Sequence, residues 1–509
     1  MSTSSTTGLC CLANFLYVYS PARIVLGPVT NVRLLMSRGL HLPLLTVWVG
    51  RVTIDILPDD VLLHIFYFDG QEDVNREWNP SWHRLVHVCR RWRSLVFASP
   101  NFLDLRLVFD RGTRVELAGI WPPLPITIRN LTDWPFPEID TPITYRNRIR
   151  EINVRLSSSS QMLRMVLAMQ EPFPALIHLK LGSYLNQDIP ILPDDFLGGS
   201  AAQLQSLELD RISFSALPTF LLSATDLVDL VLRDVPYLYT PETLVTCLAV
   251  LPNLKYFTIR FHPTLLSHPD RKRRHLPPPT RIVLPSLIDF TFVWVSEYLE
   301  DLVSRIDTPL LDSIDIIFFY ELIFDHPQLG RFLRRTPRFQ TLNEAHVDFG
   351  FVRHVQTVRI QDTPFPPRCT YDRKPGLRIT CHRLIWRLSV IADILASFFS
   401  SIYVVEHLYI YEPQDFLTHW EVKIKDMQWL KMFHPFPAVK NLYLQNEISQ
   451  CIAPVLQALV GEKVMDVLPV LESISLEGLE SSGPVQEAIG KFVAARQALG
   501  RPVAVSHWN

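Results

Sequence analysis

Apolar residues recur at positions i, i+3 and i+5 in unit after unit, and this recurrence limits the fold more than any other feature. The clear units are Ile149/Ile152/Val154, Leu176/Leu179/Leu181, Leu204/Leu207/Leu209, Leu227/Leu230/Leu232, Leu254/Phe257/Ile259, Leu287/Phe290/Phe292 and Leu311/Ile314/Ile316. They resume at Val405/Leu408/Ile410, Val439/Leu442/Leu444 and Leu471/Ile474/Leu476, with Leu342/Ala345/Val347 and Val355/Val358/Ile360 as weaker copies between. Each unit reads as an inward turn residue followed by a short strand whose alternate side chains share one face. A single such strand cannot bury that face, but stacked neighbours can.

Proline placement supports the same reading. Pro174, Pro252, Pro285, Pro309, Pro437 and Pro469 each stand two residues before the first apolar position of a unit. There a proline ends the preceding helix and enforces an extended entry into the strand. The segments between strands are helical in pattern. Thr240-Pro241-Glu242 reads as an N-cap with a first-turn proline, and Leu299, Leu302, Val303 and Ile306 share a face. A last helix runs from Pro484 to Leu499, stopped at Gly500 and Pro502. Unit spacing varies from 23 to 34 residues, and regularity lapses between Ile317 and Val404.

Upstream lies a different kind of segment. Leu57-Pro58-Asp59-Asp60 opens a short helix: Pro58 suits a first helical position and the two aspartates favour the positive end of the helix dipole. Val61, Leu62, Ile65 and Phe66 then make one apolar face. Ser81 reads as the N-cap of a second helix, in which Trp82, Leu85, Val86, Cys89, Trp92 and Val96 fall on one continuous stripe. Arg84, Arg90, Arg91 and Arg93 lie mostly off it. This segment has more apolar surface than so small a cluster can bury alone, which points to docking on a partner.

The order Leu57-Pro58, Trp82, Val88-Cys89 and Trp92-Arg93 resembles an F-box, apart from a long polar stretch between Asp69 and Pro80. The downstream units resemble leucine-rich repeats, without the asparagine or cysteine usual after the strand. The whole chain is similar to the F-box proteins with degenerate leucine-rich repeats that abound in mushroom-forming fungi (Agaricomycetes). That resemblance implies an α/β repeat fold: a short all-helical F-box over residues 51–108, then an irregular leucine-rich-repeat-like solenoid, or horseshoe, over 109–509. It implies binding of a Skp-type adaptor and its cullin complex, with Leu57, Pro58, Val61, Ile65, Val86, Cys89 and Trp92 as contact or supporting positions.

If the strands line a concave face, the residues between buried positions meet the target. The candidates for target binding are His178, Glu208, Asp229, Tyr256, Asp289, Asp315, His407, Tyr409 and Tyr443. Lys180, Ser206, Val231, Thr258, Thr291, Ser313, Asn441, Ser473 and Ser475 share the same expected orientation. The set is mixed in sign and includes aromatics, which suits an unknown protein substrate better than a phosphate-tracking groove.

Composition excludes several other classes. The chain has 509 residues, is 48% apolar and 20% charged, and has a net charge of −2, so neither global disorder nor general attraction to nucleic acid or membrane is expected. Its seven cysteines are scattered without zinc-ligand spacing, the pattern of reduced thiols in a cytoplasmic or nuclear protein. Residues 1–50 are atypical, with an apolar run at 9–19 too short to span a membrane. The basic run Arg271-Lys272-Arg273-Arg274-His275 reads as an exposed loop. Trp386, Trp420 and Trp429 read as core anchors.

No nucleophile elbow, phosphate-binding glycine loop or paired acidic motif is present, so neither a cofactor nor catalysis is expected. The leading class is the substrate receptor of an SCF-type ubiquitin ligase. The alternatives are a repeat-based interaction scaffold without ligase association, and an enzyme whose fold is misread.

Overall fold

The computed structural model describes residues 56–72, 82–100, 102–109, 122–130, 143–184, 189–237, 239–262, 265, 280–318, 327–348, 355–361, 376–382, 405–411, 426–459, 461, 463–477 and 483–508. Residues 1–50, Ser81, the basic run at 271–275, Trp386 and Trp420 lie outside them. The chain divides into two compact units, 1–105 and 106–509.

The first unit is helical. Helix α1 (Asp59–Glu72) carries Asp59 and Asp60 in its first turn, as the sequence pattern requires. The expected single second helix is two: α2 (Trp82–Val86) and α3 (Arg90–Ala98). The break has a local cause. Cys89 is extended (φ −154°, ψ 171°), and its sulfur accepts the Trp92 N–H at 3.5 Å, making it the N-cap of α3.

The second unit is a mixed α/β body around a sixteen-stranded sheet. Short β1 (Leu107–Phe109) and β2 (Ile126–Asn130) start it. The apolar triplets then fall on β3 (Ile149–Leu156), β4 (His178–Ser183), β5 (Ser206–Asp210), β6 (Asp229–Val235) and β7 (Tyr256–Phe261). A two-residue strand, β8 (Ile282–Val283), pairs outside the main sheet with β10 (Ile306–Asp307). The main sheet continues through β9 (Asp289–Trp294) and β11 (Ser313–Phe318). All neighbours from β1 to β11 within it are parallel.

The apolar triplets pack into the core of the sheet. Ile152, Leu179, Leu207, Leu230, Phe257, Phe290 and Ile314 stand beside one another in register and are each at most 1% exposed. Parallel strands need crossovers, and helices provide many of them: α4 (Ser159–Ala168), α5 (Leu217–Leu221), α6 (Pro241–Leu248), α7 (Ser296–Ser304) and α8 (Pro327–Arg335). Thr240 caps α6 as expected, accepting the Thr243 N–H at 3.1 Å.

Between Ile317 and Val404 the lapse in pattern marks a change of topology. Strand β12 (Glu344–Asp348) does not join β11. Instead β13 (Val355–Gln361) returns antiparallel, and β14 (Gly376–His382) occupies the place beside β11. Val355/Val358/Ile360 is therefore no repeat unit, since its strand runs against both neighbours. Strand β15 (His407–Tyr411) then pairs parallel with β12, restoring the order. It is followed by β16 (Asn441–Leu444), β17 (Ser473–Glu477) and β18 (Ala504–Trp508). Helices α9 (Asp426–Phe433), α10 (Asn446–Gln457), α11 (Lys463–Asp466) and α12 (Pro484–Ala498) belong to this last stretch, and Trp429 of α9 is core, at 1% exposed. Among the described residues, no helix is long and apolar enough to cross a membrane.

Candidate functional site: a helical docking module and an open sheet face

In the helical unit the burial pattern separates support from surface. Leu62 and Phe66 of α1 point inward with Trp82, Leu85, Val86, Trp92 and Val96, and the Phe66 and Trp92 rings lie 4.6 Å apart. Val86 (0% exposed) and Trp92 (4%) are therefore core residues, placed for the supporting half of the expected role. Pro58 and Ile65 are exposed, while Leu57, Val61 and Cys89 are half-buried. Arg91 fixes the entry to α1, donating to the Leu57 carbonyl at 2.6 Å and to Asp59 Oδ1 at 2.7 Å.

Residues outside the sequence expectation enlarge the surface. Ile56, Tyr67, Phe68, Val88 and Phe102 are exposed apolar side chains, with Phe68 at 57% and Val88 at 53%. Tyr67 and Phe102 touch at 5.4 Å between centroids, and His64 meets the Phe102 edge at 5.5 Å. The run Phe66-Tyr67-Phe68 was the available signal: three consecutive aromatics on a helix cannot all face one core. This exposed apolar area on a small helical unit is the pattern of an interaction site.

The second candidate is the sheet face opposite the repeat core. His178, Ser206, Asp229, Tyr256 and Asp289 occupy one register row across β4 to β9, and Lys180, Glu208, Val231, Thr258, Thr291 and Asp315 occupy the next. The outward expectation fails at three positions: Asp289 (6% exposed), Val231 (3%) and Ser475 (7%) are buried. Asp315 faces Arg378 of β14 at 3.3 Å.

Charged groups on this face form a repeated pattern. Glu151 of β3 pairs with both Arg106 (3.2 Å) and Arg129 (2.9 Å), which come from the β1 and β2 side. Glu208 lies between Lys180 (3.0 Å) and Arg233. Asp234 lies between Arg211 (3.4 Å) and Arg260 (2.7 Å). Arg155 crosses β4 to reach Asp210, and a glycine makes room for it: a Cβ at Gly182 would stand 2.8 Å from Arg155 Nε.

Toward the other end, rings replace charges. His346, Tyr409 and Tyr443 stack across β12, β15 and β16 at centroid separations of 4.4 and 4.1 Å, nearly parallel. His407 joins them, its Nδ1 lying 3.5 Å from the Tyr443 hydroxyl. Burial, with Glu344 nearby, pushes the Tyr409 phenol well above its usual range. The structure thus gathers His407, Tyr409 and Tyr443 into one patch, and His178, Glu208, Asp229 and Tyr256 into another. Six strand spacings separate β7 from β15, about 29 Å at ~4.8 Å each. His346 escaped the sequence reading because its unit lies in the irregular stretch.

Among the described residues no cluster of His, Cys, Asp and Glu has the arrangement of a metal site. Burial raises the Cys247 thiol to about 11, the opposite of what a nucleophile needs. Residues 54–101 match the F-box-like family. No curated protein matches the chain.

Proposed function

We propose, from the F-box-like domain at residues 54–101, that this chain is a substrate-recognition subunit of an SCF-type (Skp adaptor, cullin, RING) ubiquitin ligase. An F-box-like domain implies a Skp-type adaptor as partner. The observation that carries the reading is the exposed apolar surface of Ile65, Tyr67, Phe68, Val88 and Phe102 on a unit whose own core is already closed by Trp82 and Trp92. In this reading the exposed side chains and the Leu57-Pro58 entry contact the adaptor, while Val86 and Trp92 hold the helices in place.

The body supplies the target site. Its nearly all-parallel sheet, with repeat positions in register and successive helices between strands, supports a leucine-rich-repeat-like solenoid of the kind found in fungal F-box proteins. The chain performs no chemistry itself. It acts by proximity: holding a target beside the ligase's catalytic subunits raises the effective concentration of its lysines. The adaptor and cullin place it in the cytoplasm or nucleus.

The test is capture by a purified Skp-type adaptor. Ile65→Asp with Phe68→Asp changes only exposed positions, so the module keeps its core while losing docking area. Each lost apolar contact is worth about 1.5–3 kcal/mol if fully buried by the partner, so affinity should fall at least tenfold. Equal capture of the native and substituted chains would refute the proposed contact surface, and no capture of the native chain would leave a scaffold without ligase association.

A further inference from the structure

Among the described residues, strand β18 leaves one edge of the sheet open. It pairs with β17 in parallel over five residues and stands at one end of the strand order. The Ala504 N–H donates to the Glu472 carbonyl at 2.9 Å. In a parallel ladder alternate residues turn their backbone groups to opposite sides. Ala504 and Ser506 therefore bond toward β17, while Val505 and His507 each aim an N–H and a carbonyl at the open side. Ala504, Val505, Ser506 and His507 are all exposed. Val505 shares a register row with Leu408, Leu442 and Ile474, each fully buried, yet is itself 44% exposed. The core row thus runs out into water. At the other end of the sheet β1 has three residues, and Leu107 and Phe109 are buried.

Edge strands in folded proteins are commonly protected by charge, proline or a bulge. β18 has none of these: it reads Ala-Val-Ser-His-Trp, and its register with β17 does not shift. Such an edge accepts another extended strand, and a second β18 matches it by symmetry. Laid antiparallel about Ser506, Val505 of each copy stands opposite His507 of the other. Each of those two pairs exchanges two backbone bonds, so every outward group of both residues is satisfied. A shift of one residue would set outward groups against inward-turned ones, and a shift of two leaves one bonded pair within the strand. No like charges meet, because the strand carries no Asp, Glu, Lys or Arg. A two-fold contact of this kind is isologous and closes at two copies.

We infer that two copies of this chain associate through β18, antiparallel and centred on Ser506, so that the sheet of one continues into that of the other. The added strand covers Val505, whose register row is otherwise core. A five-residue edge is smaller than a standard interface, so the association is weak and depends on concentration. The association itself does not rest on the receptor reading; its use, avidity for a target with repeated motifs, does.

Sedimentation equilibrium of the full chain, from micromolar to submillimolar concentration, should show the mass rising from one copy toward two. Val505→Pro removes an outward N–H while sparing the bonds to β17. Val505→Lys sets a charge at the edge without altering the backbone, which keeps the test readable if the proline impairs folding. Both variants should stay at the mass of one copy. Val283→Lys, at an exposed valine outside the main sheet, should associate like the native chain. Cross-linking reads the register. Ser506 would meet its own counterpart in a non-hydrogen-bonded pair about 4.5 Å apart between Cα atoms, within disulfide reach. Ser506→Cys should therefore give a covalent pair on mild oxidation, beyond any formed by the native cysteines, whereas Ala504→Cys should not. A mass of one copy at every concentration, association undiminished in both Val505 variants, or no more cross-linking through position 506 than through 504 would overturn the inference.

Discussion

Arg496 is wholly buried in α12, and its guanidinium serves as a clamp. It donates to the carbonyls of Val464, Leu468, Pro469 and Leu471 at 3.2–3.4 Å, joining the last helix to the turn that leads into β17. Burial lowers its pKa, with Arg501 acting in the same direction, yet an arginine stays charged at any physiological pH. Arg496→Met keeps the volume and removes the donors, so thermal denaturation should show a loss of about 2–3 kcal/mol. An unchanged melting temperature would mean that the carbonyls find other donors. Nothing in the sequence singled out this arginine, because its acceptors lie 25–32 positions away. The paired cations escaped notice for a similar reason. Alternation along a strand tells which way a side chain points, but not which side chain of the next strand it meets.

Elements were more legible than pairings. A triplet of apolar residues preceded by proline found β4, β7, β9, β11, β16 and β17, because the same spacing serves both turn and strand. Strands β1 and β14 had no full triplet, and β13 had one but runs the wrong way, since direction leaves no trace in periodicity. The split between α2 and α3 was hidden because Cys89 fits an apolar stripe and an N-cap equally well. Two consequences belong to this scale. Glu300 of α7 accepts the N–H groups of Gln328 and Leu329 at 2.8 Å each, capping α8 from the neighbouring helix. Glu300→Ala should therefore cost about 1–2 kcal/mol, read as a lower denaturation midpoint. In the helical unit, burial and the nearby His87 lower the His83 pKa from 6.5 to about 4. Acid then protonates the unfolded chain first, so the unit loses stability as pH falls from about 6.5 toward 4 and levels off below. Discounted for its partial exposure, the loss is about 1–2 kcal/mol. His83→Gln should flatten that dependence in a urea titration followed by tryptophan fluorescence, whereas an unaltered slope would assign the acid sensitivity to other groups.

At the scale of the whole molecule, labour is divided between a small unit with surplus apolar surface and a large body that presents a charged and aromatic sheet face. The division follows from where each part can bury its apolar residues. The body closes its core by stacking strand on strand, which leaves the polar and aromatic residues on the other face of the sheet. The helical unit closes its core with two indoles and still leaves Ile65, Phe68 and Val88 in water. Such surface is costly unless a partner covers it. The most direct measurement is the dissociation constant of a purified Skp-type adaptor for the full chain, compared with the chain carrying Ile65→Asp and Phe68→Asp. We predict tight, saturable binding by the native chain and at least a tenfold loss in the variant, with circular dichroism unchanged. Binding of the same strength by both chains, or by neither, would contradict the account.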